Sequence, residues 1–254
     1  MRNLIVALVS SALATAAMAA PTRLTVRAIS RDAKVLGDGV GGARITIRDL
    51  ESGKILASGI QRGGTGDTKR IMQEPRQRGA MIYDTENAAA FRTTFELSRV
   101  TRVEITAEGP LKYPQAMQRA SKTMLLVPGQ DITGEGVLLE IAGFIVEIES
   151  TDLVQTSKQP VNIRSKVTMT CGCPTEPGGM WNADEITVIA RAIRGGRVAG
   201  ETQLRYADSP STFEGELPEL EDGRYMLEVF ASDAKRSNVG RASRALVVQK
   251  STGR

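Results

Sequence analysis

Apolar and polar residues alternate with a period of two along most of the chain. Leu24, Val26 and Ala28 alternate with Thr25 and Arg27, the pattern of a half-buried strand with the polar side chains outward. Ile45 and Ile47 alternate with Arg44, Thr46 and Arg48, and Glu51-Ser52-Gly53-Lys54 marks a turn before Ile55-Leu56-Ala57. Phe91, Phe95 and Leu97 share a parity with Thr93, and Val103, Ile105 and Ala107 repeat the rhythm. Leu125-Leu126-Val127 then leads into the Pro128-Gly129 turn.

A change of parity divides the chain. Val137, Leu139 and Ile141 are odd, whereas Phe144, Val146 and Ile148 are even. A strand moves its apolar set to the other face only through a break or bulge, and Gly143 sits at the shift. The pattern predicts one β-sandwich over 21–142 and a second over 143–249, followed by a tail at 250–254. The alternative is one bulged strand inside a larger domain. In the second half, strands are expected near Phe144–Glu149, Val161–Met169, Glu185–Arg194, Arg197–Tyr206, Thr212–Leu217, Arg224–Ala231 and Ala242–Gln249. Gly195-Gly196 is a two-residue hairpin signal between two of them. The predicted class is all-β, with two consecutive antiparallel, immunoglobulin-like sandwiches.

The run from Gly39 through Gly42-Ala43-Arg44-Ile45-Thr46-Ile47 to Ser52-Gly53-Lys54-Ile55-Leu56-Ala57-Ser58-Gly59 resembles carboxypeptidase-regulatory-like (transthyretin-like) domains. That resemblance spans about forty residues and implies a small non-catalytic sandwich on an exported protein. Leu220-Glu221-Asp222-Gly223-Arg224-Tyr225 resembles the tyrosine corner of immunoglobulin and fibronectin type III modules, which gives Tyr225 and Gly223 a structural role. The neighbouring acidic residues lack the spacing of a calcium loop and read as a solvated corner.

Residues 1–20 read as a secretory signal peptide: Arg2, an apolar Leu4–Ala17 run, then small residues for cleavage. No second apolar run is long enough to span a membrane. The expected location is therefore periplasmic or secreted. Histidine is absent, which excludes Ser-His-Asp and Cys-His catalysts and removes the usual zinc ligand. Aromatic residues make up only 4% of the chain, too few for a base-stacking surface, and the mild net charge of +4 reads as a solvated surface without nucleic-acid affinity.

Two stretches break the strand rhythm. The first is 61–90, where Arg62-Gly63-Gly64-Thr65-Gly66-Asp67-Thr68 lacks the ending of a phosphate-binding loop. It reads as a binding or mobile insertion with Arg62, Gly64, Asp67, Arg70 and Arg76 as candidate contacts. The second holds Met169, Cys171, Cys173, Met180 and Trp181, with both cysteines and the only tryptophan of the chain. If the strand runs on, Met169, Cys171 and Cys173 share one face. Three chemistries remain open there: a local disulfide, favoured by an oxidising compartment; a soft-metal site for Cu(I); or a thiol–disulfide exchange pair. The corresponding functions are a non-enzymatic binding or assembly module with a protein partner in the cell envelope and no cofactor, a periplasmic copper handler, and a redox partner.

Overall fold

The computed structural model describes residues 19–149, 154–156 and 159–249. Most of the expected signal peptide (1–18) and the expected tail (250–254) lie outside the described residues. Fifteen strands are present among those described, with one helix of five residues, so the class is all-β.

The first sandwich is built around β1 (Ala20–Ser30), the central strand of a sheet ordered β4-β1-β7, with β4 at Phe91–Leu97 and β7 at Ile132–Ile141. Against it packs the sheet β3-β2-β5-β6, formed by β2 (Arg44–Asp49), β3 (Ile55–Ile60), β5 (Thr101–Gly109) and β6 (Gln118–Leu126). Leu24, Val26 and Ala28 meet Ile45, Ile47, Val103, Ile105 and Leu139 in the core between them. β1 pairs with β4 in antiparallel and with β7 in parallel fashion, a departure from the purely antiparallel expectation. The more than one hundred residues between β1 and β7 supply the crossover that parallel pairing requires.

The outward face of β1 is also covered. Thr25 and Arg27 were expected in solvent but are buried, with Arg27 at 0% exposure. The cover is the 61–90 segment, which is neither an unattached insertion nor a free loop. Its helix α1 (Thr68–Met72) and the residues after it place Ile71, Tyr83 and Ala89 in a small apolar cluster with Ile29 and Val35. Gln61 starts the cover like an extra strand neighbour: its Oε1 accepts from Ala28 N (2.7 Å), and its Nε2 donates to the carbonyls of Ala28 (3.0 Å) and Leu36 (2.9 Å). Arg27 then donates to the carbonyl oxygens of Gly134 and Glu135 and pairs with Asp84. The Glu135 carboxylate in turn accepts the backbone N–H groups of Ile82, Tyr83 and Asp84 at 3.0–3.2 Å. Burial lowers the pKa of the Arg27 guanidinium, and Asp84 opposes that shift.

The second sandwich holds the seven expected strands and one more. These are β8 (Phe144–Ile148), β9 (Val154–Thr156), β10 (Val161–Met169), β11 (Thr187–Arg194), β12 (Arg197–Tyr206), β13 (Thr212–Leu217), β14 (Gly223–Asp233) and β15 (Asn238–Gln249). β8, β10 and β13 face β12, β11, β14, β15 and β9; the end of β12 crosses over, with Arg205 and Tyr206 pairing with Glu214 and Phe213, so the order closes into one continuous sheet. β9 runs parallel to β15. Gly195 and Gly196 both take positive φ (57° and 76°) between β11 and β12, as a tight hairpin turn requires. The Tyr225 hydroxyl donates to the Glu221 carbonyl oxygen (2.7 Å) while its ring is buried, and Gly223 opens β14.

The parity change at Gly143 coincides with the passage between the two cores. Ile141 lies in the first core and Phe144 in the second; Ile145 then packs into the first while Val146 packs into the second. β8 is thus a wall shared by both.

Removing Arg27 would leave Asp84 and two carbonyls without their donor. Arg27→Ala is expected to cost about 3–5 kcal/mol in chemical denaturation; a variant as stable as the parent would refute the anchoring role. At the open edge of the first sandwich, Lys122 lies opposite Ile105 in inward parity yet is exposed. A charge so placed blocks edge-to-edge strand pairing. Lys122→Val is expected to raise the weight-average mass over the parent at equal concentration in sedimentation; an unchanged mass counts against that role.

Candidate functional site

Two regions gather the residues singled out by the sequence. The first is the surface of the 61–90 cover. A groove of about 670 Å³ is lined by Asp38, Arg62, Gly63, Gly64, Asn87 and Arg92, among others. A second hollow of about 630 Å³ continues from it over Gly64, Asp67, Arg70, Asp84, Thr85 and Glu86. Gly64, Thr65, Thr85 and Asn87 line both. Of the predicted contacts, Arg62, Gly64, Asp67 and Arg70 are brought together here. Arg76 is not among the lining residues; it is exposed and interacts with Tyr83. Arg92, Asp38 and Asn87 were not anticipated, because their neighbours in the groove are distant in sequence.

The groove's carboxylates are largely committed. Asp67 caps α1, its side chain accepting from Arg70 N at 2.7 Å. Asp84 serves Arg27. Asp38 faces Arg62 at 3.6 Å and accepts from Gly63 N at 3.2 Å. Arg70 and Arg92 have no ion pair among the described residues. The floor is backbone: Gly64 N donates to the Asn87 carbonyl (2.6 Å), and Ala89 N returns to the Gly64 carbonyl (2.9 Å). The result is a hydrogen-bonded polar floor with guanidinium groups on its rim.

The second region is the cysteine turn. The strand does not run on. β10 ends at Met169, and Gly172 takes φ +80° so that the chain reverses, with Gly172 N donating to the Met169 carbonyl (2.7 Å) and Met169 N to the Cys173 carbonyl (3.0 Å). Both cysteines nevertheless point into the second core beside Met169, with 4% and 5% exposure. Their Cα atoms are 5.4 Å apart and the sulfurs are adjacent. Met180 is exposed at the loop tip, whereas Met169 is buried, so the four sulfur residues are split between core and surface. Among the described residues, no three His, Cys, Asp or Glu side chains gather as a metal site.

Trp181 belongs to a domain junction. The first sandwich sends a tight turn from the end of β1 into the mouth of the second. Ala33, at its tip, is a member of the second core. Trp181 packs on that core and donates its indole N–H to the Asp32 carbonyl oxygen (3.0 Å). Thr170 Oγ1 donates to Ser30 Oγ (2.7 Å). Arg236 pairs with Asp32 (2.6 Å), Glu185 (2.6 Å) and Asp233 (2.9 Å). Gly143 N donates to the buried Asn238 side-chain oxygen (2.8 Å).

No family model and no curated protein matches the chain. Among solved structures, an engineered protein aligns at 16% identity over 49% of this chain and 24% of its own, with a TM-score of 0.31. Fibronectin(III)-like modules of Clostridium thermocellum CbhA align at 10% identity over 91% of this chain and 94% of theirs, TM-score 0.28. Domains 4 and 5 of the S-layer protein SbsC align at 9% identity over 56% and 64%, TM-score 0.28. At such scores the fold class rests on the sheets themselves. No helix among the described residues is long and apolar enough to cross a membrane.

The junction has a defined acid response. Hydrogen bonds from Arg236 and Lys235 hold the Glu185 carboxyl below its ordinary range. Its folded pKa therefore lies below the unfolded value of about 4.3. The stabilisation is complete above that value and is lost as pH falls through the folded pKa. Glu185→Gln is expected to flatten the fall in urea midpoint between pH 6 and pH 3; parallel curves for variant and parent would disprove it.

Proposed function

We propose that this chain is an exported, non-enzymatic binding or assembly module that meets a protein partner in the cell envelope through the groove over residues 61–90. One observation carries the reading. The groove's backbone floor is fixed to the buried Arg27 through Glu135 and Asp84, while Arg70 and Arg92 stand on its rim without ion pairs among the described residues. A hydrogen-bonded floor with uncommitted donors loses little freedom on binding. Arginine is also among the side chains that dominate interfaces. In this reading the first sandwich is a carboxypeptidase-regulatory-like unit, for which the sequence at 39–59 and its β2–β3 hairpin speak, and the second an immunoglobulin or fibronectin type III-like unit, for which the Tyr225–Glu221 hydrogen bond speaks.

In this reading Cys171 and Cys173 are joined as a local disulfide, which the adjacency of their buried sulfurs and an oxidising compartment both favour. A mass two hydrogens below the reduced value supports it. A stoichiometric metal adduct with both thiols intact would replace it with copper handling.

The binding surface is tested by site-specific photo-crosslinking in the envelope. A probe at Asn87 is expected to give a discrete heavier product that a probe at Gln203, on the second sandwich, does not give. Arg62→Glu with Arg92→Glu is expected to reduce that product several-fold. Equal products from both probe positions, or insensitivity to the charge reversal, would sink the groove as the docking site.

A further inference from the structure

We propose that Cys171–Cys173 is a thiol–disulfide exchange site that locks the turn after β1 into the second sandwich: closed, it seats the Ser30–Ala33 turn in the mouth of the second sandwich, and reduction unseats that turn while the shared wall β8 and both cores stay folded. The inference rests on the closed pair proposed above and concerns what that closure controls.

The turn carrying the cysteines is itself the contact. Residue 170, immediately before the pair, donates to Ser30 Oγ (2.7 Å) and to the Ile141 carbonyl (3.3 Å) of the first sandwich. Gly172, between the two cysteines, stands so close to the first sandwich that a Cβ there would lie 2.9 Å from Val40 Cγ1. Beyond the pair, the loop delivers Trp181 to the Asp32 carbonyl. Two of the junction donors, Thr170 and Trp181, therefore flank the sulfurs in sequence; the third, Arg236, reaches Asp32 from the turn after β14.

Opening the bond must move this turn. Bonded sulfurs sit about 2.05 Å apart, whereas non-bonded heavy atoms need roughly 3.5–4.0 Å. Cys171 and Cys173 are buried in the second core, packed with Met169 and Phe144. A close-packed interior does not yield that space without displacement. On the opposite side, the turn is the exposed Gly172 facing Val40. Expansion toward that side presses on the first sandwich and shifts Thr170 and Trp181 together. The bond closes a ring of only a few residues, so it restrains little of the unfolded chain. Its loss is accordingly a local event at the junction.

The chemistry balances with a dithiol as reductant. A thiolate of the dithiol attacks one sulfur and the Cys–Cys bond breaks. The second thiol resolves the mixed disulfide, leaving two protein thiols and an oxidised dithiol. Because the sulfurs are buried, exchange waits on local opening of the turn.

The single tryptophan makes this measurable in the full chain. Mass spectrometry first establishes the oxidised and reduced states. A preparation whose thiols are free without reductant refutes the closed pair itself, and with it the lock. With the pair closed, adding dithiothreitol is expected to red-shift Trp181 emission and increase its quenching by acrylamide. Far-UV circular dichroism is expected to remain unchanged. The double variant Cys171→Ser, Cys173→Ser is expected to show the unseated values with or without reductant. Reduction confirmed by mass but with unaltered emission and quenching would overturn the lock. So would reduction accompanied by loss of the β signal, since the bond would then be a staple of the second sandwich.

Discussion

The structure depends on a strand with no solvent face. From Leu24 on, β1 lies between two neighbours with its even residues Leu24, Val26 and Ala28 in the first core and its odd residues Thr25, Arg27 and Ile29 buried beneath the 61–90 cover, and it ends in the turn that enters the second sandwich. A cation at its centre, Arg27, is the cost of that position. A buried charge persists only when paired and hydrogen-bonded. Here the two terminal nitrogens are met by Asp84 and by two carbonyls from the start of β7, while Nε has no partner among the described residues. Satisfying Arg27 therefore ties three distant segments together, and the groove is shaped as a by-product of that satisfaction. Glu135 extends the arrangement by gathering three consecutive N–H groups of the cover.

The second sandwich was legible in the sequence almost strand by strand, because one face of each strand is buried and the other is wet. Val188, Ala190 and Ala192 alternate with Thr187 and Arg191, and the structure keeps that alternation. β1 defeated the same reasoning. Its polar residues read as an outward face, and only tertiary context shows that the outward face is covered. β6 was seen only at its Leu125–Leu126 end, since an edge strand such as Gln118-Arg119-Ala120-Ser121-Lys122 has little apolar signal to read. β9 has three residues, below the length at which a pattern exists. Four of the five arginine, glycine and aspartate positions anticipated in the insertion do line one surface. The partners Asp38 and Arg92 come from other elements, which no periodicity reveals.

The junction shows why the cysteine turn could not be understood from its own residues. Local spacing placed Met169, Cys171 and Cys173 on one face, and all three do enter one core. The route is different: a reversal at Gly172 replaces continued strand, and the reversal touches Val40. Trp181 likewise answers to Asp32, a residue in left-handed conformation (φ 53°) on the far sandwich. A non-glycine residue held at positive φ carries strain that its surroundings must offset. Trp181 and Arg236 supply that compensation at one point, from two separate loops of the second sandwich.

The charge arrangement also bears on chemistry. Acid–base catalysis needs a carboxyl free to exchange a proton with substrate. Most carboxylates near the hollows are engaged in architecture, Glu86 aside: Asp67 caps a helix, Asp84 and Glu135 serve the Arg27 framework, and at the junction Asp32, Asp233 and Glu185 converge on Arg236. Over the groove the side chains that remain are guanidinium groups above a hydrogen-bonded backbone floor. The two sandwiches meet through the Ser30–Val40 segment, which the second sandwich contacts at Ser30, Asp32, Ala33 and Val40, and through β8, whose residues enter both cores.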